Sequence, residues 1–193
     1  AFTHFVHPDL HFVFPIIKYK TAESSVCDVY IDTWRKRLQA GLYFDLNDWL
    51  GDMKAENQQA LIYAAEAAQI QRKLALKSTL GGRKILIVWM PEKMHAECAN
   101  KLLKLIEAPP EQKNFLLVSD EPEKILPTNL TRTQQIGVKG IDHECLVEAL
   151  RKSHPTEDVE VPARNAKGSY TAALKSLDTN RDNLLFFDLF VML

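Results

Sequence analysis

The stretch KILIVWMPEKMHAECANKLLKLIEAPPEQKNFLLVS, residues 84–119, decides the fold. It opens with a short apolar run, KILIVW, whose length suits a buried strand. A helical segment follows, with Ala99, Leu102, Leu103 and Ile106 on one face and so expected in the core. Pro109-Pro110 ends it, because proline lacks the N–H that a helix requires and clashes with the preceding turn. A second apolar run, FLLVS, completes the unit. Two continuous apolar strands around a crossover helix imply a parallel sheet with helices on its faces. The fold class is therefore α/β.

Upstream, HFVFPI (11–16) predicts another strand, and SSVCDVYIDTWRKRLQAG predicts a helix from about Val26 to Ala40. Ile31, Trp34 and Leu38 share one face of that helix, Ser25 and Asp28 stand in capping-box spacing, and Gly41 is the stop. A second helical stretch is expected from about Glu56 to Lys77, closed by TLGGRK. Downstream, RTQQIGVKGI predicts one more strand. From Asp142 the signals are helical only: IDHECLVEALRKS, a polar link HPTEDVEVP, then ARNAKGSYTAALKSL and NRDNLLFFDLFVML. No internal repeat or low-complexity tract is present.

With 193 residues, 46% hydrophobic and 25% charged, the chain can bury a real core. A formal net charge of −1 excludes nucleic-acid affinity from overall charge, though not from local basic patches. The three cysteines, Cys27, Cys98 and Cys145, lack the spacing of a disulfide framework or a zinc knuckle, so a reducing, cytoplasmic location is the default. No apolar run reaches the roughly 18 to 20 residues that span a bilayer, and no signal peptide opens the sequence. The chain starts without methionine and stops inside the apolar run LLFFDLFVML, which suggests a fragment of a longer protein.

The phosphate-binding pattern G-x-x-x-x-G-K-[ST] is missing. LGGRK (80–84) precedes a strand, whereas a phosphate loop follows one and opens a helix, so it is read as a turn. His4, His7 and His11 lie among aromatic and aliphatic neighbours at a strand entrance, with no Cys or carboxylate pattern to complete a metal site. No nucleophile elbow supports acyl-transfer chemistry.

Residues 84–136 resemble the DNA polymerase III clamp-loader subunits, the delta-prime and gamma/tau branch of the AAA+ ATPases, and are most similar to the delta-prime members. The resemblance rests on the strand before Glu92-Lys93-Met94, the helix matching AxNxLLKxxExPP, the FLLVSxEPExxLPT strand and turn, and a basic SRC-like motif at Thr131-Arg132-Thr133. HPDLHF also matches, and ARNAKGSYTAAL matches the family's lid. The resemblance implies an AAA+ (RecA-like) parallel sheet flanked by helices over residues 1–139, without its phosphate loop. It further implies a small helical lid over 140–178 and the start of a truncated helical collar over 179–193.

Active relatives end the strand before the Glu-Lys-Met with two acids, one organising magnesium and one polarising the attacking water. Here those positions hold Trp89 and Met90, a degenerate Walker B that can neither coordinate a hard cation nor accept a proton. In the lid motif, Gly168 and Ser169 are present, but Tyr170 and Thr171 stand where relatives place a phosphate-touching arginine. No hydrolysis, cofactor or metal is expected of this chain.

Arg132 matches the arginine of the SRC-like motif. On its own residues it reads as a surface arginine capping the preceding loop; the resemblance makes it an arginine finger acting in trans. A guanidinium suits that work because it is permanently charged, planar and a forked donor. Thr131 and Thr133 depart from serine and cysteine but are small. Pro122 and Pro127 are expected to shape the loop that presents Arg132. Lys101, Lys104, Arg83 and Lys84 are read as solvated.

The resemblance thus implies an ATPase-inactive stator subunit of the DNA polymerase III holoenzyme, a DNA-directed DNA polymerase. Its partners would be the gamma/tau and delta subunits and, through the complex, the sliding clamp and primed DNA, with no membrane contact. Two other readings remain open: an active gamma/tau-like ATPase whose phosphate loop was cut away, and a non-replicative interaction module on the same frame.

Overall fold

The computed structural model describes residues 4–21, 24–79, 81–107 and 112–179. Three strands, β1 (Leu10–Val13), β2 (Lys84–Trp89) and β3 (Lys113–Val118), form a parallel sheet in the order β1-β2-β3. The register pairs Phe12 with Ile87 and Ile87 with Leu116, so β2 lies between the other two. The α/β class and the parallel strands are those expected from residues 84–119. Helices α1 (Ile31–Ala40), α2 (Leu46–Asp52), α3 (Glu66–Ala75) and α4 (Ala96–Glu107) accompany the sheet, and α5 (Pro127–Leu130) is a single turn after β3.

Packing of bulky apolar groups accounts for these positions. Phe12, Val13 and Phe14 of the β1 segment, Leu86 and Val88 of β2, Trp34 of α1, Trp49 of α2 and Ile70 and Leu74 of α3 are all buried. In α4, Ala99 and Leu102 are buried, while Leu103 and Ile106 are half-buried. Pro109-Pro110 lie outside the described residues. Lys101 and Lys104 are exposed, as expected of a solvated face, and Lys101 pairs with Glu97 at 2.7 Å.

Several expectations fail for reasons that packing makes clear. The stretch 56–65 is not helical, and α3 starts only at Glu66. Leu61 pairs with Ile16 as an antiparallel bridge and Ile62 with Met94 as a parallel one, with N···O distances of 2.9 to 3.0 Å. Burying Ile16 and Ile62 in these extended pairs outweighs a local helix preference worth only tenths of a kcal/mol per residue. Ser25 caps no helix; its hydroxyl donates to the Thr21 carbonyl at 2.6 Å and accepts from the Tyr19 N–H at 2.9 Å. Asp28 instead accepts from the Lys73 ammonium, and the first turn, Cys27–Tyr30, is 3₁₀.

Lys84 is not solvated. It is 3% exposed, lies 3.9 Å from the equally buried Asp9 carboxylate and donates to the Lys73 carbonyl at 3.0 Å. Asp9 also receives the Ser78 hydroxyl and the Thr79 N–H, so this buried charge pair fixes the turn that leads into β2. Burial and the adjacent Lys84 ammonium push the His11 imidazole down to about 4. His7 accepts the Asp9 N–H at 3.1 Å, and among the described residues no cluster of His, Cys, Asp or Glu could hold a metal ion.

The segment RTQQIGVKGI forms no strand. A strand needs a neighbour to bond, and Ile136 and Val138 stand 78% and 93% exposed. From Ile136 onward the segment belongs to a second compact unit, Tyr43–Asp45 with Ile136–Leu193; the first is Ala1–Leu42 with Leu46–Gln135. In the second unit α6 (His143–Ser153), α7 (Glu160–Asn165) and α8 (170–179) pack Leu146, Leu150, Val159, Ala163, Ala173 and Leu177 into their own core. Tyr43 stacks on Tyr170 at 5.0 Å, and Asp45 pairs with Lys175, which ties 43–45 to this unit. The expected boundary at 139/140 lies four residues beyond that division, and of the expected collar, 179–193, all but Thr179 lies outside the described residues. Among the described residues no helix is long and apolar enough to cross a membrane.

Candidate functional site

β2 delivers Trp89 and Met90 at its C-terminal end. The Trp89 ring lies 5.2 Å from Trp34, which stacks on Phe14 at 4.2 Å and meets Trp49 edge-on at 5.1 Å. Trp49 is anchored in turn by its indole N–H, which donates to the Pro15 carbonyl at 2.7 Å. Each such aromatic pair adds about 0.5–1.5 kcal/mol beyond area burial. Trp89 therefore extends the core to the end of the strand.

Met90 takes the left-handed conformation, φ 56 and ψ 59, and turns the chain into the 3₁₀ segment Pro91–Lys93. Its N–H bonds to the Val118 carbonyl at 2.9 Å, so the turn is braced by β3. The donors at this strand end are an indole and a thioether, neither of which fits a magnesium–nucleotide complex, since hard cations take oxygen ligands. The next acid along, Glu92, accepts the Ser119 hydroxyl at 2.7 Å and so ties this turn to the end of β3.

Arg132 stands on a different element. Pro127 opens α5 at the one helical position where its missing N–H costs nothing. The helix is only one turn long, so its carbonyls need partners from outside. Thr131, Arg132 and Thr133 supply them. The Thr131 hydroxyl donates to the Thr128 carbonyl at 3.2 Å, the Arg132 Nη1 to the same carbonyl at 2.9 Å, and the Thr133 hydroxyl to the Leu130 carbonyl at 3.0 Å. Threonine can do what the expected serine and cysteine positions require, because a hydroxyl is what the carbonyls receive.

The Arg132 Nη2 also meets the Glu107 Oε1 at 2.7 Å, at the C-terminal end of α4. Both side chains stay open to solvent, 40% and 41% exposed. The reading of Arg132 as a loop-capping arginine is thus part of its geometry, with Nη1 donating to the Thr128 carbonyl and Nη2 in an ion pair with Glu107, contacts that leave donors of the five-donor guanidinium uncommitted. Glu107 is the Glu of the ExPP end of the α4 motif, to which the resemblance assigned no role. Its signal was a carboxylate at a helix C-terminus, where the helix dipole disfavours negative charge.

Gly168 and Ser169 are structural in the second unit. Gly168 has φ +87, and a Cβ there would come within 2.9 Å of Gly140 Cα and the Ile141 backbone. Its carbonyl accepts the Ile141 N–H at 2.9 Å, so the residue breaks the expected continuous helix into α7 and α8. Ser169 then caps α8, its hydroxyl accepting the Ala172 N–H at 3.2 Å. Tyr170, at the place expected for an arginine in active relatives, packs against Tyr43.

A buried carboxylate lies elsewhere in the first unit. Glu66, 1% exposed, accepts the Cys27 N–H at 2.7 Å, and burial raises its pKa. A cleft of about 640 Å³ opens nearby, lined by Tyr63, Gln69, Arg72, His95 and Lys101 among others.

A family model described as "DNA polymerase III, delta subunit" matches residues 3–142. The delta' subunit of DNA polymerase III from Pseudomonas aeruginosa is 35% identical over 81 residues, covering 42% of this chain and 25% of that protein. The tau subunit of DNA polymerase III from Escherichia coli is 35% identical over 86 residues, covering 41% of this chain and 13% of that protein. The chain thus spans a quarter or less of the length of these two curated relatives. A solved DNA polymerase III gamma subunit-related protein from Thermotoga maritima aligns over 89% of this chain and 42% of its own, at 18% identity and a TM-score of 0.47. With most of its length matched by that family model, the chain belongs to the DNA polymerase III delta subunit family of clamp-loader subunits.

Proposed function

We propose that the chain is part of a delta-prime stator of a bacterial clamp loader, inactive as an ATPase, which supplies Arg132 as an arginine finger to a neighbouring gamma/tau ATPase. The observation that carries this reading is the contrast between a strand end built from Trp89 and Met90 and an exposed, doubly anchored Arg132. A subunit that cannot hold magnesium still fills a place in a ring and can act on its neighbour's nucleotide. During phosphoryl transfer, charge builds on the oxygens of the transferred group, and a fixed cation in trans stabilises it by about 10³ to 10⁵ in rate. Arg132 retains uncommitted N–H donors for that purpose.

The assembly would contain gamma/tau and delta subunits and would act on the sliding clamp and primed DNA in the cytoplasm. Residues 140–178 would be the lid, and those from 179 the start of the collar. The similarity to tau favours an active gamma/tau-type ATPase as the second reading, and the chemistry of Trp89 and Met90 opposes it.

The test is the clamp- and DNA-stimulated ATPase of a loader reconstituted with the subunit in its full-length natural form, wild type against Arg132→Ala. A loss of about 10³-fold in turnover with assembly intact is expected. Unchanged turnover would remove Arg132 from the mechanism.

A further inference from the structure

We infer that Glu107 is a positioning residue for Arg132, aiming the guanidinium before a neighbour's phosphate reaches it; this rests on the finger reading above. Glu107 closes α4, where the partial negative charge of the helix end opposes a carboxylate, so the helix itself gains nothing from an acid there. Its ion-pair partner is Arg132, 25 positions along the chain, at 2.7 Å.

The geometry of the contact defines what it can do. A planar guanidinium held at one point can swing, but this one is held at both terminal nitrogens, by the Glu107 Oε1 on Nη2 and the Thr128 carbonyl on Nη1. Two anchors set both its position and the orientation of its plane. The N–H groups outside these two contacts are left for an anionic group. The side chain therefore meets a phosphate already ordered, which lowers the entropy cost of engagement.

Exposure separates this role from a stabilising one. Both partners are about two-fifths exposed, and ion pairs this open contribute little to folding. The effect of Glu107 is expected in the neighbour's turnover and not in the stability of this chain. A sequestering role, in which Glu107 withholds Arg132 from the phosphate, predicts the opposite change in rate.

The experiment uses the same reconstituted loader with Glu107→Ala, Glu107→Gln, Arg132→Ala and the Glu107→Ala/Arg132→Ala pair. Glu107→Ala is expected to lower kcat roughly 10- to 100-fold with little change in KM for ATP, the scale of a misplaced catalytic group. Glu107→Gln keeps an oxygen for Nη2 and should recover most of that loss. The double variant should be no slower than Arg132→Ala alone, because Glu107 acts only through the arginine. A rate for Glu107→Ala at or above wild type, or a further loss in the double variant equal to the single one, overturns the inference. Those outcomes stand apart from failure of the finger reading, which appears as wild-type turnover in Arg132→Ala itself. Should Glu107→Ala fold poorly, the Gln variant and its pairing with Arg132→Ala decide the same question.

Discussion

The end of β2 and the turn after α5 carry the two positions on which the proposed function turns, and they are built on opposite physics. At Trp89 the side chain joins Trp34, Phe14 and Trp49 in an aromatic cluster, and the strand end becomes an extension of the core. At Arg132 the side chain stays half in solvent and is held by one carboxylate and one carbonyl. A strand end that need not bind magnesium can be filled with apolar surface, which stabilises the fold. A group that acts on another molecule must stay exposed, and is held in place by polar contacts that contribute little stability. The first region is packing; on the proposed reading, the second is a reagent.

The comparison can be broken by stability measurements. Trp89→Ala should cost about 3 kcal/mol, the low end for deleting a core tryptophan because Trp89 is only half-buried, and denaturant unfolding would read it. A cost under about 1 kcal/mol would mean that the aromatic end of β2 is not part of the core. Glu66→Ala comes next, at about 2 kcal/mol, because it leaves the buried Cys27 N–H without an acceptor.

Glu66→Gln sharpens the same point by keeping an oxygen and removing the charge. Burial raises the Glu66 pKa, so the folded state holds its proton more tightly than the unfolded one. That contribution is fully present below the ordinary carboxylate pKa of about 4.5 and is lost as the pH rises through the folded value. The advantage of the Gln variant over wild type should therefore grow from acid toward neutral pH. An advantage that does not change with pH would show that the carboxylate is not desolvated.

The smallest expected effect is that of Arg132→Ala on folding, within about 0.5 kcal/mol in the same unfolding measurement, since its ion pair is exposed. Set beside the large loss expected in a neighbour's turnover, this would separate a reagent from a structural element. A stability loss of several kcal/mol would instead make Arg132 mainly a brace between α4 and α5.

Much of this was legible before any coordinates. The runs at 84–89 and 115–119 fell on β2 and β3, with Leu86 and Val88 of β2 buried but Leu116 and Val118 of β3 about half exposed, and the face of Ala99 and Leu102 found the core. Trp89, Met90 and Arg132 were singled out by the resemblance to the clamp-loader family, and their residue types set what each can do, since no fold gives an indole a magnesium-binding oxygen or takes the charge from a guanidinium. Side-chain chemistry and short-range periodicity are local properties, and the sequence alone determined them.

Tertiary structure decided whatever depended on partners far along the chain. Residues 56–65 read as helix until Leu61 and Ile62 meet Ile16 and Met94, and Lys84 reads as solvated until Asp9 is brought beside it. RTQQIGVKGI has the composition of a strand, yet a strand exists only where a neighbour accepts its hydrogen bonds. The join at 167–169 looked continuous until the approach of Gly140 required a left-handed Gly168. The Glu107–Arg132 pair belongs with these, because its two halves meet only after β3 has been laid beside β2 and the chain has turned back through α5. Pairing energy between distant residues exceeds the tenths of a kcal/mol by which local preferences differ, and it can be counted only after folding has chosen the neighbours.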